Sequence, residues 1–304
     1  MTVMNYTSLE TSLTAVSRIK TFEENTPSEE LRADGRTFEE PPDGWPHSGR
    51  VIFASVSLNY DTPNNTALVD EKTATTWYAL NDISLSIPTG QNIAIVGRSG
   101  SGKSTLLSAL ARMTDVAAGS ILVDGFDTSR FLPSVVRSRA FNIIPQEPFF
   151  FHRTVARNLD PFGTHSDEEM LTALEKVHLL DVVIQMGGLR AEIGKLDLQL
   201  SQGQKQLLAL ARALLAKSEA KIVLVDEATS SVDQHTARMM QEVILHEFGG
   251  PDKTIFAVAH QLRTVMEFDT IVVMEAGRII ERGRPSDLLE DPETAFRRMW
   301  DSQS

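Results

Sequence analysis

An α/β fold with a mainly parallel sheet core flanked by helices is predicted by three features of the sequence. Apolar, β-branched runs of strand length recur at 51–60, 77–87, 91–96, 141–145, 221–225, 254–259 and 270–274. Helical patterns lie among them at 103–112, 168–177, 204–216 and 234–248. From residue 91 onward the strand runs are almost wholly apolar, as strands covered on both faces must be. No internal repeat and no sustained heptad pattern competes with this reading.

The first fifty residues have a different character. Tyr6, Leu9, Leu13, Val16 and Ile19 are spaced three or four apart, which predicts one helix with an apolar stripe over 1–22. Residues 21–43 then hold eight acids against two arginines, together with Pro27, Pro41 and Pro42. Such a stretch cannot build a core, so 23–49 reads as an acidic, flexible linker and 50–304 as the folded domain. A helix with no domain of its own to bury against looks like a piece of something larger. The polar stretch 61–76 is long for a hairpin loop and reads as flexible.

Composition limits the function classes. Of 304 residues, 41 % are apolar and 23 % charged, an ordinary balance for a folded chain. Lys and Arg number 29 against 41 Asp and Glu, a net charge of −12. That acidity argues against gripping nucleic-acid backbone as a main task, while leaving room for a local basic site. The absence of cysteine removes disulfides, thiolate catalysis and Cys-ligated zinc. No apolar run approaches a membrane span and no signal core opens the chain. The expectation is a soluble, unexported chain that acts at a membrane only through partners.

Gly97-Arg98-Ser99-Gly100-Ser101-Gly102-Lys103-Ser104-Thr105 fits G-x-x-x-x-G-K-[ST] between a strand and a helix. Glycines let backbone N–H groups converge on one concavity, the helix start adds partial positive charge, and Lys103 adds a full one. The Ser104 hydroxyl suits Mg²⁺, which takes oxygen ligands and keeps several waters. A dinucleotide fingerprint fails, because Thr105 stands where its third glycine belongs. The site therefore reads as one for a nucleoside triphosphate.

The strand 221–225 runs into Asp226-Glu227. In a parallel sheet, ligands gather at the carboxyl ends of strands, which puts both acids beside the phosphates. Asp226 is suited to hold Mg²⁺, and Glu227 to polarise an attacking water. Gln146 and His260 also follow apolar strands, and Asp233 lies just beyond the acid pair. The other histidines, His47, His152, His165, His178, His235 and His246, form no metal-ligand spacing.

The segment Leu200-Ser201-Gln202-Gly203-Gln204-Lys205-Gln206 resembles the signature motif of ATP-binding-cassette (ABC) ATPases, 25 residues ahead of Asp226. A serine-capped amphipathic helix would explain the helix alone. It would not explain the phosphate loop, Gln146, the signature, Asp226-Glu227, Asp233 and His260 standing in cassette order. The resemblance covers about residues 50–304. It implies a phosphate-loop fold of ABC type with an N-terminal antiparallel β subdomain and a helical signature subdomain.

Several roles follow from that resemblance. Tyr60 is similar to the aromatic that stacks on adenine, with Trp77 and Tyr78 as weaker candidates. Gly97, Gly100, Ser101, Gly102, Lys103, Ser104 and Thr105 would hold the phosphates of ATP. Ser104, Gln146 and Asp226 would surround Mg²⁺. Glu227, His260 and Gln146 would serve hydrolysis, and Asp233 the dimer interface. Two cassettes of the family sandwich ATP head to tail, so Ser201, Gly203 and Gln204 would meet the γ-phosphate held by a partner cassette.

Arg157-Asn158-Leu159-Asp160-Pro161-Phe162, Trp45-Pro46 and Ala15-Val16-Ser17-Arg18-Ile19 resemble the second cassette of multidrug-resistance-associated (subfamily C) transporters. In that branch the second cassette keeps the catalytic glutamate and has a variant signature; here Glu227 is present and Gln202 replaces the first signature glycine. Ser230-Ser231-Val232-Asp233 replaces the commoner Ser-Ala-Leu-Asp. Phe149-Phe150-Phe151 reads either as core packing or as a socket for a coupling helix of a membrane domain.

The function this implies is an ATP-hydrolysing cassette powering substrate export. Its expected partners are a second cassette and transmembrane domains, with no nucleic acid, at the cytoplasmic face of a membrane. The alternatives are a soluble ABC-type ATPase working without membrane domains, or a truncated product that only binds ATP. The first typically carries tandem cassettes or a long coiled coil, which this sequence lacks; intact Lys103, Asp226, Glu227 and His260 oppose the second.

Overall fold

The structure is a computed structural model and describes residues 2–26, 29, 37–60, 78–193, 200–216, 220–228, 232–259 and 261–303. The chain divides into two units, Met1–Glu40 and Pro41–Ser304. In the first, α1 (Thr2–Asn25) extends three residues past the end expected from its apolar stripe. Leu13, Val16, Ile19 and Phe22 are all exposed along it.

The second unit holds two sheets. A six-stranded sheet is built from β3 (Asn92–Gly97), β6 (Phe141–Ile144), β7 (Ile222–Asp226), β8 (Thr254–Val258), β9 (Thr270–Glu275) and β10 (Arg278–Gly283), in the order β10-β9-β3-β8-β7-β6. Five of these strands run parallel, and β10 returns antiparallel on the β9 edge. A four-stranded antiparallel sheet joins β1 (Val51–Leu58), β2 (Leu80–Ile87), β4 (Ala118–Val123) and β5 (Phe126–Asp127) in the order β2-β1-β4-β5.

Alternation along the parallel strands divides the core in two. Ala94, Val96, Val223, Val225, Ile255, Ala257, Ile271 and Val273 enter one apolar cluster. Their neighbours Ile93, Ile95, Ile222, Leu224, Phe256, Val258, Val272 and Met274 enter the other. Successive side chains point to opposite faces, so a strand covered on both sides needs an apolar residue at nearly every position.

The second cluster also takes the inner face of the antiparallel sheet and the helix α2 (Lys103–Leu110). The first takes the helical side: α4 (Val155–Leu159), α5 (Asp167–Lys176), α6 (Leu180–Gln185), α7 (Gln202–Leu215) and α8 (Gln234–Phe248). Among the described residues, further α-helices are α3 (Pro133–Ala140), α9 (Pro285–Glu290) and α10 (Ala295–Gln303). Helix α8 has the bounds expected from the sequence because Asp233 caps it, accepting from the N–H groups of His235 and Thr236 at 3.1 and 3.0 Å.

Elements the sequence did not announce are those with mixed surfaces. β4 opens Ala118-Gly119-Ser120, and every residue of β10 is exposed or half-buried. The end of the acidic stretch is seated on this unit. Trp45 is buried, donates from Nε1 to Val123 O at 3.1 Å and meets Phe131 edge to face. Asp124, in the two-residue turn between β4 and β5, accepts from Ser48 N (2.8 Å), Ser48 Oγ (2.6 Å) and Arg50 N (2.9 Å).

Burial pushes the Asp124 carboxyl up, but bonds from the Ser48 hydroxyl and from the Ser48, Arg50 and Gly49 backbone outweigh it and hold it below the ordinary 3.8. A depressed carboxyl contributes stability in full above 3.8, and that stability is lost as pH falls through its lower folded value. Asp124→Asn is expected to lower Tm by about 3 °C at pH 7, roughly 1 kcal/mol for a domain of this size. The deficit should shrink below pH 3.8 in thermal melts, because the native carboxyl is then neutral as well.

Candidate functional site

All five parallel strands present their carboxyl ends on one edge, and four of them lead into residues singled out by the sequence. β3 leads into the phosphate loop, β6 to Gln146 and β7 to Asp226-Glu227. β8 leads to His260, which lies outside the described residues, as do Trp77, Ser230 and Ser231.

The phosphate loop owes its shape to glycine. Gly97 has φ +154°, and a Cβ there would stand 2.3 Å from Met274 O and 2.7 Å from Ser101 Oγ. Gly102, at φ +100°, would bring a Cβ to 2.6 Å from Ala79 O. The left-handed turn at Gly102 directs the chain into α2, whose first residue is Lys103. Lys103 is buried and its Nζ donates to Gly97 O at 3.0 Å and Arg98 O at 3.1 Å, folding the ammonium back over the loop. Ser101 is buried too, and its hydroxyl oxygen has no hydrogen-bond partner among the described residues.

The loop is braced by an element the sequence did not point to, the turn between β9 and β10. Gly277 N donates to Ser101 O at 3.0 Å, and Asn81 N donates to Gly277 O at 2.8 Å. Tyr60, 60 % exposed, donates from its hydroxyl to Thr105 Oγ1 at 3.1 Å, which sets its ring beside the start of α2. Tyr78 is exposed.

The acid pair meets the loop directly. Ser104 donates to Asp226 Oδ1 at 2.9 Å. Burial raises the Asp226 carboxyl above its ordinary 3.8; the Ser104 bond opposes this, neighbouring Glu227 adds to it and Lys103 opposes it. A half-buried carboxylate that resists ionisation beside a second acid is suited to a cation. Among the described residues no cluster of three His, Asp or Glu side chains forms a metal cage. An ion here would rest on Asp226, Ser104 and the Gln146 amide oxygen, with phosphate and water completing its shell, a donor set that fits Mg²⁺.

Glu227 has φ +46°, a left-handed conformation that is uncommon for a glutamate. Gln146 Nε2 donates to Glu227 Oε2 at 2.8 Å. Gln146 O in turn accepts from Gln206 Nε2, on α7. The sequence held a signal for Gln206. Gln206, Leu210 and Ala213 share one buried helix face, and an amide among apolar neighbours at that spacing is out of place unless it is bonded.

Ser201 caps α7 in a reciprocal box with Gln204. Gln204 N donates to Ser201 Oγ at 3.2 Å and Ser201 N donates to Gln204 Oε1 at 2.9 Å. The first N–H groups of the helix, at Gln202 and Gly203, precede its first internal bond and point outward from its start. A Cβ on Gly203 would sit 3.3 Å from Thr236 Cγ2, so this helix start packs close to α8. Asp233 is exposed; the Thr236 hydroxyl, at 2.7 Å, and the Thr236 and His235 N–H groups hold its carboxyl low.

Phe149 and Phe151 are exposed and touch edge to face at 5.3 Å, while Phe150 lies under the Arg212 guanidinium at 5.1 Å. Asn158, fully buried, holds this segment by accepting from Phe151 N (2.7 Å) and donating to Phe151 O (3.0 Å). Two of the three phenylalanines are therefore surface and one is packing.

Residues 80–230 match the family model described as ABC transporter. The chain is 44 % identical over 290 residues to the ABC transporter gloK of Glarea lozoyensis, covering 95 % of this chain and 20 % of that protein. It is 37 % identical over 302 residues to ATP-binding cassette sub-family C member 10 of Mus musculus, covering 99 % and 19 %. It is 38 % identical over 299 residues to multidrug resistance protein mrp-7 of Caenorhabditis elegans, covering 98 % and 18 %. The chain spans about a fifth of the length of these curated relatives. Among solved structures, a bacterial Atm1-family ABC exporter with ATP bound superposes with TM-score 0.78 at 27 % identity, over 99 % of this chain and 49 % of that one. The fold is that of an ABC exporter's nucleotide-binding domain.

The loop geometry separates two glycines. Gly97→Ala forces a methyl group onto Met274 O and is expected to destabilise the unit by several kcal/mol. Gly100, at φ +78°, has nothing within 4 Å of a Cβ, so Gly100→Ala should cost only the left-handed strain, about 1 kcal/mol. Denaturant melts of the two variants check this order, and equal losses would contradict it.

Proposed function

The chain belongs to the ABC transporter family as an ATP-binding domain, and from that premise we propose that it binds and hydrolyses ATP to power export. The observation that carries the reading is the pair of bonds at one sheet edge, Ser104 to Asp226 and Gln146 to Glu227. They bring a phosphate-loop hydroxyl and two acids to one sheet edge, which supports a single triphosphate site.

In this reading Tyr60 stacks on adenine, and the N–H groups of Gly97, Gly100, Ser101 and Gly102 converge on the phosphates. Lys103 exchanges its loop carbonyls for phosphate oxygens, and Ser101 Oγ gains the partner it lacks. Ser104, Asp226 and Gln146 would hold Mg²⁺, which when bound would neutralise charge on the phosphate oxygens. Glu227 accepts a hydrogen bond from the attacking water and takes its proton as the water oxygen bonds to the γ-phosphorus and the bond to the β–γ bridging oxygen breaks, releasing ADP and phosphate. Gln146 keeps that carboxylate in place, and His260 acts at the γ-phosphate.

The second half of each site comes from another cassette. Ser201, Gly203 and Gln204 offer a helix start to the triphosphate held by the partner, with Asp233 at the interface. Gln202, exposed at the first position of α7, stands where a signature glycine is usual and makes that half-site the variant one. Phe149 and Phe151 supply an apolar edge for a coupling helix of the membrane domains. Residues 1–22 are the remnant of a membrane-domain extension, joined to the cassette by the acidic stretch that follows. The chain then works at the cytoplasmic face of a membrane without entering it, and no described helix is long and apolar enough to cross one.

Two substitutions test this. Lys103→Ala is expected to weaken ATP binding on the order of 100-fold in calorimetry, because it removes the main point charge facing the phosphates. Unchanged affinity would overturn the phosphate-loop assignment. Glu227→Gln should bind ATP as tightly as the native chain yet turn it over roughly 10²–10⁴-fold more slowly. It should also accumulate an ATP-dependent dimer in size-exclusion chromatography. Undiminished phosphate release would remove Glu227 as the base.

A further inference from the structure

We propose that Gln206 is a positioning residue for hydrolysis: from the second turn of α7 it fixes the backbone of Gln146, and through it the Glu227 carboxylate. The proposal rests on the hydrolytic reading above. Gln206 is fully buried, and its Nε2 donates to Gln146 O. Gln146 is itself exposed, so the reach of its side chain to Glu227 depends on where its backbone is held.

Gln206 is a poor choice for packing alone. Leu207, Leu208, Leu210 and Leu214 of the same helix are buried, and a hydrophobic residue at 206 would continue that face. Instead the amide is buried with its Oε1 lacking a hydrogen-bond partner among the described residues, which works against stability. The bond to Gln146 O is what remains to favour a glutamine there.

The same helix grips the continuation of that segment. Arg212 donates from Nε to Asn158 O at 2.6 Å and from Nη1 to Phe149 O at 3.0 Å. These bonds order the segment beyond Gln146, whereas Gln206 alone among them reaches the residue bonded to Glu227. Because α7 starts at the Ser201 cap assigned to a partner's nucleotide, one rigid helix touches that nucleotide at its start and steers this chain's own carboxylate from its second turn.

The test is ATP turnover by the full chain, at protein concentrations that populate the ATP-dependent dimer. It compares the native chain with Gln206→Met, Gln146→Ala, the double variant and Glu227→Gln. Gln206→Met keeps length and apolar packing, so its Tm should equal or exceed the native value. Its kcat should fall roughly 10- to 100-fold with KM within about twofold, the signature of a misplaced group rather than a lost binding contact. The double variant should be no slower than Gln146→Ala, because both act through one bond chain. Gln206→Asn keeps an amide one methylene too short and should lose kcat as Met does, so it carries the test if the Met variant does not fold.

Native kcat in Gln206→Met, or losses that multiply in the double variant, would overturn the role. A kcat loss accompanied by a matching fall in Tm would overturn it too, as a purely structural effect. Turnover that depends on Glu227 but ignores Gln206 removes this role alone. Turnover equal in the native and Glu227→Gln chains removes the hydrolytic reading, and with it any reaction for Gln206 to position.

Discussion

Parallel pairing of β3 through β8 to β7 is the constraint on which the rest of the structure depends. Adjacent strands lie about 4.8 Å apart, so the ends of β3 and β7 are separated by roughly 10 Å with β8 between them. Side chains from the two ends can then meet over one concavity. Ser104 and Asp226, 122 residues apart in sequence, do so at 2.9 Å. The pairing is strong because both faces of these strands are sealed, one by the antiparallel sheet and α2, the other by the helical side.

Around that edge, elements without chemistry of their own give the loop its form. The β9–β10 turn donates to Ser101 O, and Met274 O lies so near Gly97 that only glycine fits. A chain with a net charge of −12 thus carries a local cation, Lys103, already turned inward over loop carbonyls. The phosphate loop is preorganised from behind, which limits the reorganisation left for binding. Asp226 stands opposite the loop, bonded to Ser104, and burial raises its carboxyl above the ordinary 3.8.

Helix α7 is the second organising element. Its start is capped by Ser201 and Gln204, its second turn holds Gln146 through Gln206, and its last turns hold Phe149 and Asn158 through Arg212. Burial lowers the Arg212 guanidinium below its ordinary value, as expected for a cation held by backbone carbonyls and an aromatic ring rather than by water. A single helix therefore spans the helical side and reaches the carboxyl edge of the parallel sheet.

The sequence by itself determined the parallel core and the phosphate loop. Strands buried on both faces must be written as apolar runs, and a phosphate turn must be written with glycines and a lysine. It also placed Gln146 and Asp226-Glu227 at strand ends and Asp233 at the head of α8. Family membership was legible in the order of these motifs. The antiparallel partners β4 and β5 and the edge strand β10 were not legible, because half-exposed strands mix charge, glycine and apolar residues and lose any clear period. Trp45 sat in an acidic, proline-rich stretch whose composition hid one buried ring. Only the tertiary structure decided that Gln146 grips Glu227, that Gln206 grips Gln146 and that the β9–β10 turn braces the phosphate loop. Each is a bond across 60 to 176 residues of chain, and no local pattern of side chains encodes which distant backbone group a buried amide or N–H will meet.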